Sequence, residues 1–335
     1  MDKKDFLVAS TGENISLYTI SNGTVSAEIL DWGATIYSLN VPDKNGKLRD
    51  VTLGYFENVD YEANRWSFGA VIGRYANRIK DGKFILDGIQ YNLTQNSNGN
   101  CLHGGGEFAH NLWQVADYSN DSITLQYFSQ DGSFGFPANM QVVVKYSITK
   151  DNGLQIDYEA TADRRTIVNL TNHAYFNLSG EVTVFDHELQ VNADEYTMTD
   201  NELIPTGEIA KVENSIFDLR KSVNLGKVLP KNGGFDDNFI LQGGIEKCQA
   251  VLYSPNSGIE MSFFTTEPGV QVYNANTIGD DNVILKNGKK AENFSAVCLE
   301  AQHFADSPNH KNFPSTVLNP CEVYKQTTIY KFKVK

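Results

Sequence analysis

Alternation of apolar and polar residues dominates this chain. Apolar residues occupy every second position in segments 122–127, 154–160 and 330–334. Each segment therefore has one apolar and one polar face, which predicts antiparallel strands with one side turned to a core. No long segment shows the 3.6-residue period of a helix, and we predict only short helical turns near 58–65 and 214–220.

Turn-forming dipeptides separate these predicted strands. Asn-Gly occurs six times and Asp-Gly three times, and both pairs supply the positive φ angles of tight hairpins. The segment 80–93 is predicted to form turn, strand, turn and strand in succession. No linker, low-complexity tract or repeat divides the chain. We therefore expect an all-β fold, a large antiparallel β-sandwich with few short helices, as one domain over residues 1–335.

Composition and charge narrow the possible partners. A chain of 335 residues can bury a core without disulfides or metals. With 28 basic and 41 acidic residues its net charge is -13, which argues against nucleic acid and anionic membranes as partners. The four cysteines show no disulfide framework, and we find no signal peptide or membrane-spanning run. We expect a cytoplasmic protein, either monomer or homodimer.

Three segments place a titratable residue among apolar neighbours. His103 lies in CLHGGGEF, where it is either incidental to a glycine-rich hairpin or close to a ligand that the glycines admit. His173 lies in the strand-like NLTNHAYFNLSG, as either a satisfied core histidine or a pocket residue. Glu300 follows the apolar run 296–299 at the expected end of a buried strand. It either completes a structural network or acts as a general base.

The segment VIGRYANRI (71–79) places three polar side chains in an apolar frame. For Arg74 we favour a structural role that bridges loops. Arg78 has a planar fork of donors that suits sugar hydroxyls or a carboxylate, and Asn77 precedes it.

Two further segments carry candidate polar groups. Asp236 and Asp237 lie in GGFDDNFIL, where an Asp is often only a turn residue, and Gln271 follows a Pro-Gly turn. The chain has no zinc or calcium motif, no phosphate-binding loop and no dinucleotide fingerprint. We therefore expect neither a metal nor a nucleotide cofactor.

Taken in order, six segments resemble the galactose mutarotase (aldose 1-epimerase) family: GRYANRI, LHGG, TNHAYFNL, GFDDNF, PGVQVYNAN and LEAQHFADSPN. The resemblance runs from DWGATI (31–36) to near residue 310 and covers essentially the whole chain. TNHAYFNL and LE-x-QHF-x-DSPN are its most specific parts. The resemblance implies a cofactor-free isomerase on a galactose mutarotase-like supersandwich, which interconverts the α and β anomers of D-galactose or D-glucose.

The resemblance also implies residue roles. Glu300 is implied as general base, His173 as general acid, and His103 as a hydrogen-bonding group near the ring oxygen and C1. The residues implied to hold the sugar hydroxyls are Asn77, Arg78, Tyr175, Asp236 and Gln271. Opening the ring removes the C1 hydroxyl proton and protonates the ring oxygen, so one acid and one base suffice. A nearby carboxylate favours the charged form of His173, and Glu300 is the obvious candidate.

Three positions depart from the family's usual pattern. Ala305 stands where Pro is common, Asp237 where His is common, and Asn274 where Thr is common. None of them is an implied acid, base or sugar contact. We expect Asp237 to add negative charge beside Asp236 and so to affect substrate preference rather than reaction type.

Three other functions stay open on the sequence. A hexose-6-phosphate mutarotase needs extra cations, for which Arg74 and Arg78 are available. A non-catalytic sugar-binding module does not need both Glu300 and His173. A glycosidase needs a second carboxylate, which Asp236 or Asp306 could supply.

Overall fold

A computed structural model describes residues 2–335. Its strands, in chain order, are β1 (Asp2–Val8), β2 (Asn14–Ser21), β3 (Ser26–Leu30), β4 (Ile36–Pro42), β5 (Leu48–Asp50), β6 (Val71–Ile72), β7 (Arg78–Ile79), β8 (Lys83–Leu86), β9 (Ile89–Asn92), β10 (Cys101–Leu102), β11 (Gln114–Tyr118), β12 (Ser122–Ser129), β13 (Met140–Ile148) and β14 (Gly153–Ala162). They continue as β15 (Thr166–Ile167), β16 (Thr171–Asn172), β17 (Glu188–Val191), β18 (Glu195–Thr199), β19 (Pro205–Lys211), β20 (Val223–Asn224), β21 (Asp236–Ile240), β22 (Ala250–Tyr253), β23 (Ile259–Thr265), β24 (Gly269–Tyr273), β25 (Cys298–Gln302), β26 (Val317–Leu318) and β27 (Tyr324–Val334).

Helices are few and short. The α-helices are α1 (Asp60–Ala63) and α2 (Leu225–Asn232). The 3-10 turns are Lys80–Gly82, His103–Gly106, Phe108–His110, Ser133–Gly135, Ile278–Asp281 and Ser307–Asn309. No helix within residues 2–335 has the length and apolarity that crossing a membrane requires.

Three large sheets make up the fold. The nine-stranded sheet has the order β11-β12-β13-β14-β27-β23-β22-β17-β20. The N-terminal five-stranded sheet runs β1-β2-β3-β4-β5, and the second five-stranded sheet runs β19-β18-β21-β24-β25. Ladders between neighbouring strands in all three are antiparallel. The fold is thus the expected all-β, antiparallel β-sandwich with few short helices.

One extended apolar cluster joins the three sheets. It contains Ile20 of the N-terminal sheet, Val144 and Phe332 of the nine-stranded sheet, and Phe239 and Leu299 of the second five-stranded sheet. The strands predicted by alternation at 122–127, 154–160 and 330–334 lie inside β12, β14 and β27. Their apolar positions face this cluster, apart from Val334 at the exposed end of β27, so burial of one face explains the period of two.

The local predictions have mixed outcomes. The hairpin predicted over 80–93 is confirmed as β8 and β9, and α1 confirms the turn near 58–65. The helical turn near 214–220 is wrong, because Asn214 adopts a φ of 61° and the chain continues through turns. The longer helix α2 follows instead. It contains Gly226 and Pro230, which are ordinarily signals against a helix.

The register of the second five-stranded sheet determines which side chains meet. Directly opposed residues share a face, so β21, β24 and β25 form three rows on one face. The rows are Asp236, Tyr273 and Cys298; Asn238, Gln271 and Glu300; and Ile240, Gly269 and Gln302. Along β24 and β25 the opposite face is apolar and joins the core, and Asp237 of β21 is its polar exception.

Candidate active site

A cavity of about 550 Å³ opens on the polar face of the second five-stranded sheet. Seven of the eight predicted site residues line it: Asn77, Arg78, His103, His173, Tyr175, Asp236 and Glu300. Gln271 lies behind Asp236 and is not part of the lining. The structure thus brings residues more than 200 positions apart in sequence to one pocket.

His173 and Glu300 face each other at the inner end of this cavity. His173 Nε2 lies 3.7 Å from Glu300 Oε1, and the two side chains are 8% and 3% exposed. Glu300 lies in the middle of β25 rather than at the end of a strand, because the ladder with β24 continues to Gln302. The predicted strand around His173 is also shorter than expected, since only Thr171–Asn172 forms a ladder.

Two hydrogen bonds align the His173 segment with β25. Phe176 N–H donates to Val297 O at 2.8 Å, and His303 N–H donates to Asn169 Oδ1 at 2.9 Å. The two segments are therefore antiparallel, and the register that pairs Phe176 with Val297 also places His173 opposite Glu300.

Burial decides the protonation of this pair. Burial lowers the pKa of His173 to about 4. It raises the pKa of Glu300 well above its usual range; the Asp236 charge raises it further and Arg78 opposes the change. The expectation that Glu300 keeps His173 charged is therefore wrong for this structure, because the loss of hydration disfavours both charges. Burial therefore favours the neutral form of each side chain.

Aromatic packing fixes the His173 ring. The Tyr175 ring stacks on it with centroids 4.8 Å apart and planes 12° from parallel. Phe68 meets the other side of Tyr175 edge-on at 4.8 Å, and His103 meets His173 edge-on at 5.3 Å. The imidazole is thereby held in one plane, with Nε2 toward Glu300.

His103 is held as a neutral hydrogen-bond donor. Its ring Nδ1 accepts from the Asn77 backbone N–H at 3.2 Å, and the His103 backbone N–H donates to Asn77 O at 3.0 Å. We therefore assign the ring proton to Nε2. Burial holds the pKa of His103 well below its usual range, and the charges of His173 and Arg78 act in the same direction.

The glycines after His103 serve the protein's own packing. Gly104 has a φ of 63°, and a side chain there would lie 2.3 Å from Gly73 O. At Gly104 the missing side chain permits close approach between two loops, which sets the position of His103 beside the cavity.

Asp236 is the centre of a second polar group. Its Oδ1 accepts from Gln271 Nε2 at 2.7 Å, and its Oδ2 lies 3.7 Å from Arg78 Nη1. Asn77 Oδ1 accepts a hydrogen bond from the Arg78 backbone N–H at 2.8 Å. This group offers a fixed carboxylate and a guanidinium side by side, which suits recognition of neighbouring hydroxyls.

Comparison with known proteins places this geometry in a family. The family model described as aldose 1-epimerase matches residues 16–331. The chain belongs to the aldose 1-epimerase family. The members of this family are isomerases, as the sequence motifs indicated.

Individual relatives support the assignment to the aldose 1-epimerase family. The chain is 42% identical over 333 residues to a galactose mutarotase of Homo sapiens, covering 97% of this chain and 96% of that protein. It is 34% identical over 338 residues to an aldose 1-epimerase of Escherichia coli, covering 97% of each.

Solved structures agree with these relatives. A GalM/aldose epimerase homologue from C. elegans superposes with a TM-score of 0.90 at 31% identity, covering 95% of this chain and 98% of that one. A galactose 1-epimerase from Lactobacillus acidophilus gives a TM-score of 0.87 at 26% identity, covering 99% and 98%. The β-sandwich is thus the fold of known aldose 1-epimerases.

Arg74 has the structural role predicted for it. It is fully buried, and its guanidinium donates to Ser129 Oγ at 2.8 Å and to the carbonyl oxygens of Gln130, Pro137 and Ala138 at 2.7–2.8 Å. Its donors are committed to the loop 129–138, so it does not serve the cavity.

Asp237 lies next to Asp236, but the two side chains leave β21 on opposite faces. It borders the cavity, but alternation along β21 directs its side chain to the face opposite Asp236, and its Oδ2 accepts the Asp236 N–H at 3.1 Å. Burial raises the pKa of Asp237 to about 6, and the Asp236 charge adds to the rise. Asp237 therefore lies at the edge of the cavity with its carboxylate turned toward the Asp236 backbone, and its effect on substrate preference stays a prediction.

Sequence reasoning missed part of the lining. Residues without a predicted role that line the cavity include Trp66, Asn232, Tyr273, Asn276 and Thr277. Only Tyr273 had a usable signal, since alternation places it on the same face as Gln271. Within residues 2–335, no group of three or more His, Cys, Asp or Glu side chains is arranged to hold a metal ion.

Proposed function

We propose that this protein is a galactose mutarotase, which interconverts the α and β anomers of D-galactose and D-glucose. The observation that carries the proposal is the buried pair of Glu300 and His173, 3.7 Å apart at the inner end of a cavity rich in hydrogen-bonding groups. The relatives named galactose mutarotase and aldose 1-epimerase support the same reaction.

Ring opening uses Glu300 as the base and His173 as the acid, and ring closure reverses the two roles. Glu300, when ionised, takes the proton of the C1 hydroxyl while protonated His173 gives a proton to the ring oxygen. The C1–O5 bond breaks, and the C1 hydroxyl becomes a carbonyl. Glu300 is then protonated and His173 neutral, the state that burial favours. The aldehyde rotates about C1–C2, and closure returns both protons by the reverse transfers.

The proton count of the pair explains why burial suits the reaction. Before and after ring opening the two side chains together carry one proton, and their summed charge is zero in both states. No net charge enters or leaves the buried site during the step. Fixed dipoles act strongly in such a site, and the Nε2–H of His103 supplies one toward the C1 and ring oxygens.

Orientation of the sugar falls to the second polar group. Asp236 and Arg78 contact hydroxyls away from C1, with Asn77 and Tyr175 at their sides. Gln271 holds Asp236 in place through its 2.7 Å hydrogen bond. Its part is to fix the carboxylate that the sugar meets.

The structure weakens the competing functions. Arg74, one of the two cations offered for a hexose-6-phosphate, donates four hydrogen bonds to Ser129 and to backbone carbonyls and does not line the cavity. Asp306, one of the two carboxylates offered as a glycosidase partner, accepts from Lys80 N–H and Asn309 Nδ2 and does not line the main cavity. Asp236, the other one, lines the cavity with Glu300 and lies beside Arg78, and a hydrolysis assay tests its use as a glycosidase carboxylate. A binding module does not require the buried acid/base pair.

The proposal extends to organisation and location. The core cluster takes residues from Tyr18 to Phe332, which supports one aldose 1-epimerase domain over the 335 residues. The cytoplasmic location, the lack of a cofactor and a monomeric or homodimeric state stay predictions.

Exchange between anomers in a sugar panel tests the function. Proton NMR exchange spectroscopy at anomeric equilibrium should show faster exchange with protein for D-galactose and D-glucose, unaffected by EDTA. Preferential exchange of glucose-6-phosphate would favour the phosphate enzyme. Hydrolysis of aryl galactosides would favour a glycosidase, and binding without faster exchange would favour the module.

A further inference from the structure

Four buried polar side chains lie close together on the polar face of the second five-stranded sheet: Gln302, Thr171, Asn238 and Glu300. We call this cluster the polar floor. Gln302 is fully buried, yet neither its Oε1 nor its Nε2 has a hydrogen-bond partner within residues 2–335. Within residues 2–335, a hydrogen-bond partner is also lacking for the buried atoms Thr171 Oγ1, Asn238 Oδ1 and Glu300 Oε2. Buried groups of this kind are costly in a native fold, and several together point to a ligand.

Sheet register places these four side chains around one point. Gln302 is two residues beyond Glu300 on β25, so both project from the same face. The alignment that sets His173 opposite Glu300 sets Thr171 opposite Gln302.

Asn238 reaches the same point from the other side. It opposes Gln271, the neighbour of Glu300 in the ladder. Gly269, the ladder partner of Gln302, has no side chain, and a methyl group on it would lie 2.5 Å from Asn238 Oδ1. The Asn238 oxygen thus lies over Gly269, beside Gln302.

The hydrogen-bonding capacity of the floor matches one water molecule. Gln302 Nε2 and Thr171 Oγ1 can donate, while Asn238 Oδ1 and Glu300 Oε2 can accept. A buried water typically makes two to four hydrogen bonds to such groups. We propose that Gln302 is a positioning residue for Glu300, and that it acts through one buried water bound by Gln302, Thr171, Asn238 and Glu300.

This water donates to the Glu300 oxygen that does not face His173. A hydrogen bond donated to the ionised carboxylate stabilises the base form and so lowers the pKa of Glu300 against the effect of burial. The groups that face Glu300 from the packed elements are His173, Tyr175, Arg78, Asp236, Tyr273, Cys298 and Tyr330. Arg78 is the permanent cation in this set, so the water is a second means of keeping the base usable.

Near-isosteric variants test the inference, which rests on the proposed function. Gln302→Met removes the amide, and Thr171→Val removes the hydroxyl if the first variant does not fold. Gln249→Met is a matched control, because Gln249 is 1% exposed, has an unpartnered Nε2 within residues 2–335, and does not line the cavity. The readouts are kcat and KM for D-galactose across pH, by polarimetry, and a crystal structure at a resolution that shows ordered water.

We expect Gln302→Met and Thr171→Val to lower kcat about tenfold with KM unchanged, because each variant weakens one charge-assisted hydrogen bond to Glu300. The alkaline limb of the profile should move to higher pH, and the wild-type crystal should show the bridging water. The control should keep the wild-type profile. A wild-type profile in Gln302→Met and Thr171→Val, or a floor without water, would overturn the inference. An inactive wild-type protein would instead overturn the proposed function.

Discussion

His173 Nε2 and Glu300 Oε1 lie 3.7 Å apart, and both side chains are almost completely buried. Burial lowers the pKa of His173 and raises that of Glu300, so it favours the neutral form of both. The pair therefore holds one proton between two sites and can exchange it with a sugar without a change in net charge.

Replacing the base should separate activity from stability. Glu300→Gln should reduce turnover about 10²–10⁴-fold, because a positioned proton acceptor is lost. The pKa of Glu300 is raised in the fold, so its contribution to stability is full below the unfolded pKa and is lost as pH rises through the folded pKa. The variant should accordingly melt at a higher temperature than wild type at pH 9, and by a smaller margin at pH 5.

Glu260 provides a control residue, because its replacement by Gln should change the melting temperature in the opposite direction. Glu260 is paired with Lys333 and Lys335, which lower its pKa against the effect of burial. Its stabilisation is present above the unfolded pKa, so Glu260→Gln should lower the melting temperature at neutral pH and leave turnover intact. Equal melting curves for wild type and Glu300→Gln at pH 9 would contradict the electrostatic argument.

The rate should depend on pH as expected for a pair that shares one proton. Below about pH 4 His173 and Glu300 are both protonated, and no base is present. Above the raised pKa of Glu300 both have lost their protons, and no acid is present. A plot of kcat/KM for D-galactose, corrected for the uncatalysed rate, should be bell-shaped with its acid limb near pH 4. An acid limb near 6.5 would indicate a solvated imidazole instead.

Asp236 should govern sugar binding more than turnover. Asp236→Asn removes the charged acceptor and its attraction to Arg78, so KM should rise about tenfold with a smaller change in kcat. Gln271→Met should raise KM less, because it only frees the carboxylate. Asp218→Asn is a control outside the cavity, where the side chain pairs with Arg220. A change confined to kcat would contradict a binding role.

Arg74 should matter for stability alone. Arg74→Lys keeps the charge but leaves several of its buried oxygen partners without a donor, and it should lower the free energy of unfolding by about 2 kcal/mol or more. Arg164→Lys, at a side chain 57% exposed, should change it by less than about 0.5 kcal/mol. Denaturant unfolding measures both, and the folded fraction of the Arg74 variant should keep the wild-type KM.

Sequence patterns predicted the sandwich well where one face of a strand is buried. The alternation along 154–160 arises because Leu154, Ile156, Tyr158 and Ala160 all face the core. The helix α2 escaped prediction because Gly226 and Pro230 obscure its pattern, and packing of Leu225 and Leu229 against the core stabilises it instead.

The sequence predicted which residues form the site, but it did not predict their protonation. Motifs named His173 and Glu300, yet only their burial shows that the pair prefers its neutral form. The placement of Asp237 could have been read from alternation, since adjacent strand residues face opposite ways. Gln302 lies within the LE-x-QHF segment, but the sequence did not indicate its role, because its environment depends on the register among several strands.

Polarimetry of freshly dissolved α-D-galactose tests the central claim most directly, with wild-type protein, Glu300→Gln and His173→Asn measured side by side. Wild-type protein should bring the optical rotation to its equilibrium value much faster than buffer, and both variants should approach the buffer rate. No acceleration by the wild-type protein, or near-normal acceleration by either variant, would contradict the assignment of this pair as the acid and base of a galactose mutarotase.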